Sequence, residues 1–271
     1  MRSVDQSGGI ELISHVPAAP THPVPLLFVH GAFVAAWCWD DYFLPYFAQH
    51  GFAAHALSLR GHGGSTGWES LAATSVDDYE SDVIRIARHI GEPVVLIGHS
   101  MGSMVVQRCM HRIKAAAAVL MAPVPPEGLL GSSLMLAARD PMLFGEINLI
   151  QYAHPSFATL QGVRRAVFSD DLSDEDVGRH LARMQPESQR AVFDLSWPQQ
   201  FFIGRALQVP VLVLGGERDA FFPPDTIEST ARMRGVKPEI FPGMAHAMML
   251  ERDWQQVADR IIAWLRGGAA Q

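Results

Sequence analysis

Cysteine and lysine are both scarce in this 271-residue chain, with two cysteines and lysine only at Lys114 and Lys237. Cys38 and Cys109 are too few for a disulfide framework or a four-thiolate zinc site, so they read as buried packing residues. The arginines are scattered and the formal net charge is −7, with a pI near 5.9, so no basic stripe exists for nucleic acid or an anionic membrane. No run of about 18 apolar residues is present to cross a bilayer. The segment Met1 to Gly9 lacks the apolar stretch of a secretory signal. These absences predict a cytoplasmic protein with no membrane span and no nucleic-acid partner; they say nothing of its oligomeric state.

Hydrophobic residues make up 48% of the chain, enough for one large core carrying a sizeable insertion. Short apolar runs alternate with longer amphipathic segments, the pattern of an α/β fold with a mostly parallel sheet flanked by helices. Strands are predicted at Leu26–His30, Ala53–Leu59, Val94–Ile97, Ala117–Met121, Val211–Leu214 and Glu239–Phe241, with Ile10–His15 as an antiparallel edge. Helices are predicted at Trp39–Gln49, Val76–Ile90, Met101–Arg112, Asp225–Met233 and Trp254–Arg266, before a frayed tail from Gly267 to Gln271. About 85 residues separate the strand ending near Ala122 from the next one, far too many for a single crossover helix. Amphipathic stretches there, near Leu129–Ala138, Gly162–Val167, Ser173–Met184 and Ser188–Phe193, are broken by Pro141, Pro155, Pro186 and Pro198. The division this suggests is a core of residues 1–122 and 208–271 with a helical cap of residues 123–207. Within the cap the acidic run Asp170 to Asp176 suits a helix start capped by Ser173 better than a metal site.

Gly98-His99-Ser100-Met101-Gly102 follows the apolar run Pro93 to Ile97 and precedes a helix-like stretch. This is a G-x-S-x-G nucleophile elbow in the strand-turn-helix context that gives it meaning. The sharp turn exposes the Ser100 hydroxyl, and the flanking glycines avoid collisions with the neighbouring strand and helix. It also puts the Met101 N–H at a helix N-terminus, aimed at a developing oxyanion. A serine needs a base to take its proton and an acid to orient that base. In open α/β sheets these lie beyond the carboxyl ends of strands. Asp219, in the turn after Val211–Leu214, is the candidate acid, with Glu217 as the alternative; His246, in the Gly-containing loop after Glu239–Phe241, is the candidate base. The chain order Ser, Asp, His fits. The loop His30-Gly31-Ala32-Phe33 offers the Ala32 amide, then Phe33, as the second oxyanion donor. His30 reads as a structural hydrogen-bonding residue, His99 as pointing away from the elbow tip, and Arg60 to Ser65 as a packed loop near the site, since it lacks the Lys-Ser/Thr of a phosphate loop. Candidate lining residues for an apolar pocket are Phe33, Trp37, Phe144, Phe221, Phe222, Met244 and Met248.

With Ser100 in GHSMG, Asp219 in GGERDA, His246 in GMAH and the HGAF loop, nearly the whole chain resembles the α/β-hydrolase superfamily. The resemblance implies an eight-stranded sheet with the cap inserted after the sixth strand. His30-Gly31-Ala32 with Trp37-Cys38-Trp39, and Phe168 to Ser173 leading to Met184-Gln185-Pro186, are similar to the carboxylesterase branch that includes plant methyl-ester esterases and hydroxynitrile lyases. Leu59 to Ser65 is more similar to bacterial esterases and monoacylglycerol lipases. Dehalogenases and epoxide hydrolases of this fold carry an aspartate at the elbow and dienelactone hydrolases a cysteine, unlike Ser100. The cap lysine of hydroxynitrile lyases is missing, with no lysine between Ala122 and Leu207. Carbon–carbon bond hydrolases often carry a tryptophan after the histidine, where this chain has Met248 and Met249. The resemblance implies a serine hydrolase for a small or medium apolar carboxylic ester, with a small molecule as partner and neither cofactor nor metal. Carbon–carbon or lactone hydrolysis, cofactor-free oxygenation or perhydrolysis, and a receptor role remain open on the same scaffold.

Overall fold

The computed structural model describes residues 1–152, 155–203 and 209–269. The eight strands are β1 (Arg2–Ser7), β2 (Ile10–His15), β3 (Leu26–Val29), β4 (Ala54–Leu57), β5 (Val94–His99), β6 (Ala115–Met121), β7 (Val211–Gly216) and β8 (Glu239–Phe241). They form one sheet in the order β1-β2-β4-β3-β5-β6-β7-β8. Strands β4, β3, β5, β6, β7 and β8 run parallel, while β1 and β2 are antiparallel to each other and β2 to β4.

The central strands are apolar nearly throughout because helices cover both faces, and their residues divide between two cores with period two. Phe28, Val95, Ile97, Val119 and Leu214 enter one core, and Leu27, Val29, Leu96, Leu120 and Val213 the other. Helices α1 (Trp37–Asp40), α2 (Phe43–Gln49) and α11 (Trp254–Trp264) cover the first face. Helices α3 (Val76–Ile90), α4 (Met101–Cys109) and α10 (Pro224–Met233) cover the second. Helix α3 starts with a capping box between Ser75 and Asp78 and buries Val76, Tyr79, Val83, Ile86 and Ala87, one stripe at helical spacing.

The helical cap follows the sixth strand. Between β6 and β7 stand α5 (Leu129–Arg139), α6 (Pro141–Tyr152), α7 (Leu160–Val167), α8 (Asp174–Leu181) and α9 (Gln189–Ser196). Helices α5, α6 and α7 share a small core of Leu136, Leu143 and Ala166. Ser173 caps α8 by accepting the Asp176 amide hydrogen, with three acids in the first turn. The expected boundary at Leu207 lies outside the described residues, as do Ala270 and Gln271.

Several expected elements differ. Ile10–His15 is not the edge: β1 lies outside it, paired from Arg2↔His15 to Ser7↔Ile10. Arg2–Ser7 is mostly exposed and polar, so no apolar pattern marks it. The predicted helix over Trp39–Gln49 is two helices, and α4 gives way to a 3₁₀ turn at Met110–Arg112. Pro141 separates α5 from the stretch after it, as expected, and also opens an unexpected helix, α6, where its missing N–H would be unsatisfied in any case. Residues Leu265–Ala269, expected partly as tail, form a wide π-type turn with a kink at Gly268.

Candidate active site

Strand β5 ends at His99, and the chain turns at Ser100, whose φ of 51° and ψ of −119° lie outside the regions natural to a residue with a side chain. Such a conformation costs about 1–3 kcal/mol and persists only where its surroundings dictate it. The surroundings do so here. The Ser100 N–H donates to the Met121 carbonyl at 2.9 Å, and the Ser100 carbonyl accepts from the Ser103 amide at 3.0 Å and the Ser103 hydroxyl at 2.6 Å. A Cβ on Gly98 would sit 2.6 Å from the Gly102 oxygen, and one on Gly102 would sit 2.3 Å from the His30 oxygen. Neither flanking position admits a side chain, which is the physical content of the glycines in the motif.

Asp219 is buried in the turn after β7, held by the amide hydrogens of Phe221 and Phe222, which donate to its Oδ1 at 2.8 and 2.9 Å. That leaves Oδ2 facing Nδ1 of His246 at 2.7 Å. The His246 ring packs among Phe221, Phe222 and His99, with centroids 5.0, 5.5 and 4.7 Å away. Glu217, the alternative acid, is exposed and instead accepts the Gly243 amide hydrogen at 2.8 Å. Ser100 and His246 line one cavity, together with Ala32, Phe33 and Met101. Among the described residues the Ala32 and Met101 amides donate to no other protein group, as an anion-binding pair requires.

Two neighbouring histidines support the site, and His99 lines the same cavity as Ser100. His30 is fully buried: the Leu59 N–H donates to its Nε2 at 3.0 Å, so its Nδ1–H donates to the Gly31 carbonyl at 2.8 Å. Burial, with the nearby His62, pushes its pKa down to about 3, so it stays neutral. His99 donates from Nε2 to the backbone carbonyl of His246 at 2.8 Å, and burial holds its pKa well below the ordinary value. It therefore braces the His246 loop, a task its position in the sequence did not suggest. Cys38 and Cys109 are free, buried thiols whose pKa burial raises.

Three further side chains fasten this site to the cap, and the motifs gave no sign of them. Gln185 donates its own N–H to the Phe33 carbonyl at 2.9 Å, holding the loop where Phe33 takes a φ of 66°. Its side chain accepts from the Gly63 amide at 2.9 Å and donates to the Gly61 carbonyl at 3.1 Å. Next to it, Glu187 is buried 3.3 Å from His62 and accepts the Tyr79 hydroxyl at 2.7 Å. Burial opposes both charges of this pair, yet their attraction prevails: His62 is raised and Glu187 lowered from their ordinary values. Glu251 accepts the amide and hydroxyl hydrogens of Ser169, both at 2.7 Å, and the amide of Ala245 at 3.3 Å. Burial raises its pKa despite those donors.

The cavity between sheet and cap measures about 380 Å³, with Leu136, Ile147, Leu195 and Met249 among its walls. Of the expected lining residues, Phe33, Trp37, Phe144, Phe221 and Phe222 face it. Met244 and Met248 do not; both are buried in the core of the first sheet face. The chain tightens after His246, with the Met248 N–H returning to the His246 carbonyl at 2.9 Å, and Met249 takes the cavity wall instead. Among the described residues no group of three His, Cys, Asp or Glu side chains converges as a metal site would, and no helix is long and apolar enough to cross a membrane.

A family model described as "Alpha/beta hydrolase family" matches residues 26–260. Among solved structures, a thermophilic esterase from Thermogutta terrifontis superposes with a TM-score of 0.74 at 19% identity, covering 100% of both chains. A bromoperoxidase from Bacillus anthracis gives 0.77 at 17% identity, over 98% of this chain and 100% of the other. A monoacylglycerol lipase from Paleococcus ferrophilus gives 0.69 at 21%, over 94% and 98%. At these identities the structural likeness speaks for the fold.

Proposed function

Because the chain belongs to the alpha/beta hydrolase family, we propose that it is a serine hydrolase cleaving carboxylic esters of small or medium apolar substrates through an acyl-enzyme. The observation that carries this reading is the buried 2.7 Å contact between Asp219 and His246 on the cavity wall that also holds the strained Ser100. With Nδ1–H committed to Asp219, the His246 Nε2 lone pair is left to take the Ser100 proton. Ser100 Oγ attacks the ester carbonyl, and the Ala32 and Met101 amides hold the tetrahedral oxyanion, each worth about 3 kcal/mol. Phe33 is the reserve donor. His246 returns the proton to the departing alcohol, and water activated by the same imidazole then releases the acid. Asp219 stabilises the imidazolium at both steps. A cavity of about 380 Å³ with mainly apolar walls supports a small or medium uncharged substrate.

Hydrolysis of p-nitrophenyl acetate, butyrate and octanoate by wild type and Ser100→Ala tests this. Activity in the wild type and a loss of at least about 10³ in the variant, with unchanged folding, is the expected result. An active Ser100→Ala, or a tenfold preference for charged esters, would overturn it. The bromoperoxidase among the structural neighbours favours a second reaction of the same intermediate: hydrogen peroxide in place of water attacks the acyl-enzyme, giving a peracid and regenerating the Ser100 hydroxyl. Peracid release on adding peroxide to the same assay is its test.

A further inference from the structure

The cavity carries polar groups that ester hydrolysis does not use. His180, on α8, is 2% exposed, and neither of its ring nitrogens has a hydrogen-bond partner among the described residues. Its ring lies against Trp37 (centroids 6.1 Å apart, planes 12° apart) and Phe168 (5.6 Å and 29°). Trp37 Nε1 is likewise buried and unpartnered, and so are both side-chain amide atoms of Gln151 on α6. All these residues line the cavity. The contrast with His30, which uses both nitrogens, is the informative point. A buried polar group left without a partner is costly, so a pocket built only for hydrocarbon would hold an apolar side chain here.

Burial holds the His180 pKa below the ordinary imidazole value, against the opposing pull of Asp41 and with the help of Arg179 and Arg183. The ring is therefore neutral at pH 7, with one N–H donor and one lone pair. Trp37 adds a second N–H donor. A carbonyl or ether oxygen serves only donors, whereas a hydroxyl serves either face of the imidazole whichever tautomer is present. A cationic amine would find no carboxylate among the described lining residues, and Asp41 is already paired with Arg183, whose guanidinium lies 4.0 Å from the Trp37 ring centroid. We propose that His180 and Trp37 form a hydroxyl-recognition subsite, so that the natural substrate is an apolar ester bearing a hydroxyl or phenol on the part that packs against α8. This rests on the reading of the cavity as the substrate site and narrows its substrate class.

The test measures binding, so it does not depend on turnover. Dissociation constants for 4-butylphenol and butylbenzene are compared in wild type and His180→Phe, which keeps a ring in the stack. The wild-type preference for the phenol over the hydrocarbon falls about tenfold in the variant, while butylbenzene affinity changes by less than about twofold. A preference unchanged within about twofold overturns the subsite. If the variant loses butylbenzene binding as well, the wild-type protein decides: 4-butylphenol shifts a ¹⁵N resonance of His180 and butylbenzene does not, and absence of that shift overturns the subsite. The p-nitrophenyl ester assays report on hydrolysis separately, so either reading can fail alone.

Discussion

On the core side of the cavity the backbone itself is forced into place, whereas on the cap side the wall is shaped by side chains on short helices. Ser100 sits at positive φ between two glycines that no other residue can replace, and Asp219 is locked by two amides before it meets His246. The cap wall is built from Leu136, Phe144, Ile147 and Leu195, side chains on helices with no backbone at positive φ among them. The difference teaches where chemistry and selectivity separate. The proposed nucleophile, base and acid would tolerate errors of only about 0.5 Å, which fits their places at or just after strand ends. Selectivity for size tolerates a softer wall.

The largest effect that sharpens this contrast is expected from Asp219→Asn, which fixes the wrong imidazole tautomer and should lower kcat by about 10⁴ without unfolding the chain. Glu217→Gln, at the exposed acid of the same turn, should leave kcat within about twofold; the reverse outcome in steady-state kinetics would move the acid role. Next comes Gly102→Ala, whose Cβ would meet the His30 oxygen at 2.3 Å; urea unfolding should show a loss of about 3 kcal/mol.

Glu187→Gln tests the joint between the two walls. It removes the charge that favours the protonated form of buried His62, with an expected cost of about 3 kcal/mol near pH 6. The folded pKa of His62 is raised above 6.5, so its contribution is complete below that value and is lost as pH rises through the raised one. Glu187 is lowered below 4.5, so its contribution is present above that value and is lost as pH falls through the lowered one. The stability gap between wild type and variant should therefore be widest between about pH 4.5 and 6.5 and narrow as the pH rises through the raised pKa of His62. A gap that widens with alkaline pH would contradict the pairing.

The smallest effect belongs to the cap. Phe144→Ala should raise KM for the octanoate ester about tenfold, change kcat little, and barely touch the acetate, because it removes only apolar contact to the longer chain. A large fall in kcat for acetate would mean that the cap wall shares in the chemistry.

The same contrast decides what could be read from the sequence. Ser100, Asp219 and His246 stand at addresses a chain must announce, since a strand end followed by a tight turn leaves a glycine-rich trace. The contacts that join core and cap leave none: Gln185 meets Gly61 across 124 positions, Glu187 meets Tyr79 across 108, and Glu251 of the core meets Ser169 of the cap across 82. Met248 was the expected lining residue, but both methionines enter the core and the turn after His246 brings only Met249 to the cavity wall as well. Helix α6 was hidden because PMLFGEINLIQY is apolar nearly all round, so it has no helical stripe to detect. Strand β1 was hidden by the opposite cause: an exposed edge needs few apolar residues, and this one pairs with β2 across the turn at Gly8-Gly9.

The most direct measurement is covalent trapping of the nucleophile. The protein is treated with a fluorophosphonate, digested, and the modified residue located by peptide mass spectrometry in wild type and His246→Ala. Ser100 as the modified residue, with labelling slowed by at least about 10³ in His246→Ala, is the predicted result. Modification at another residue, or labelling of Ser100 at an unchanged rate without His246, would contradict a serine activated by the Asp219–His246 pair.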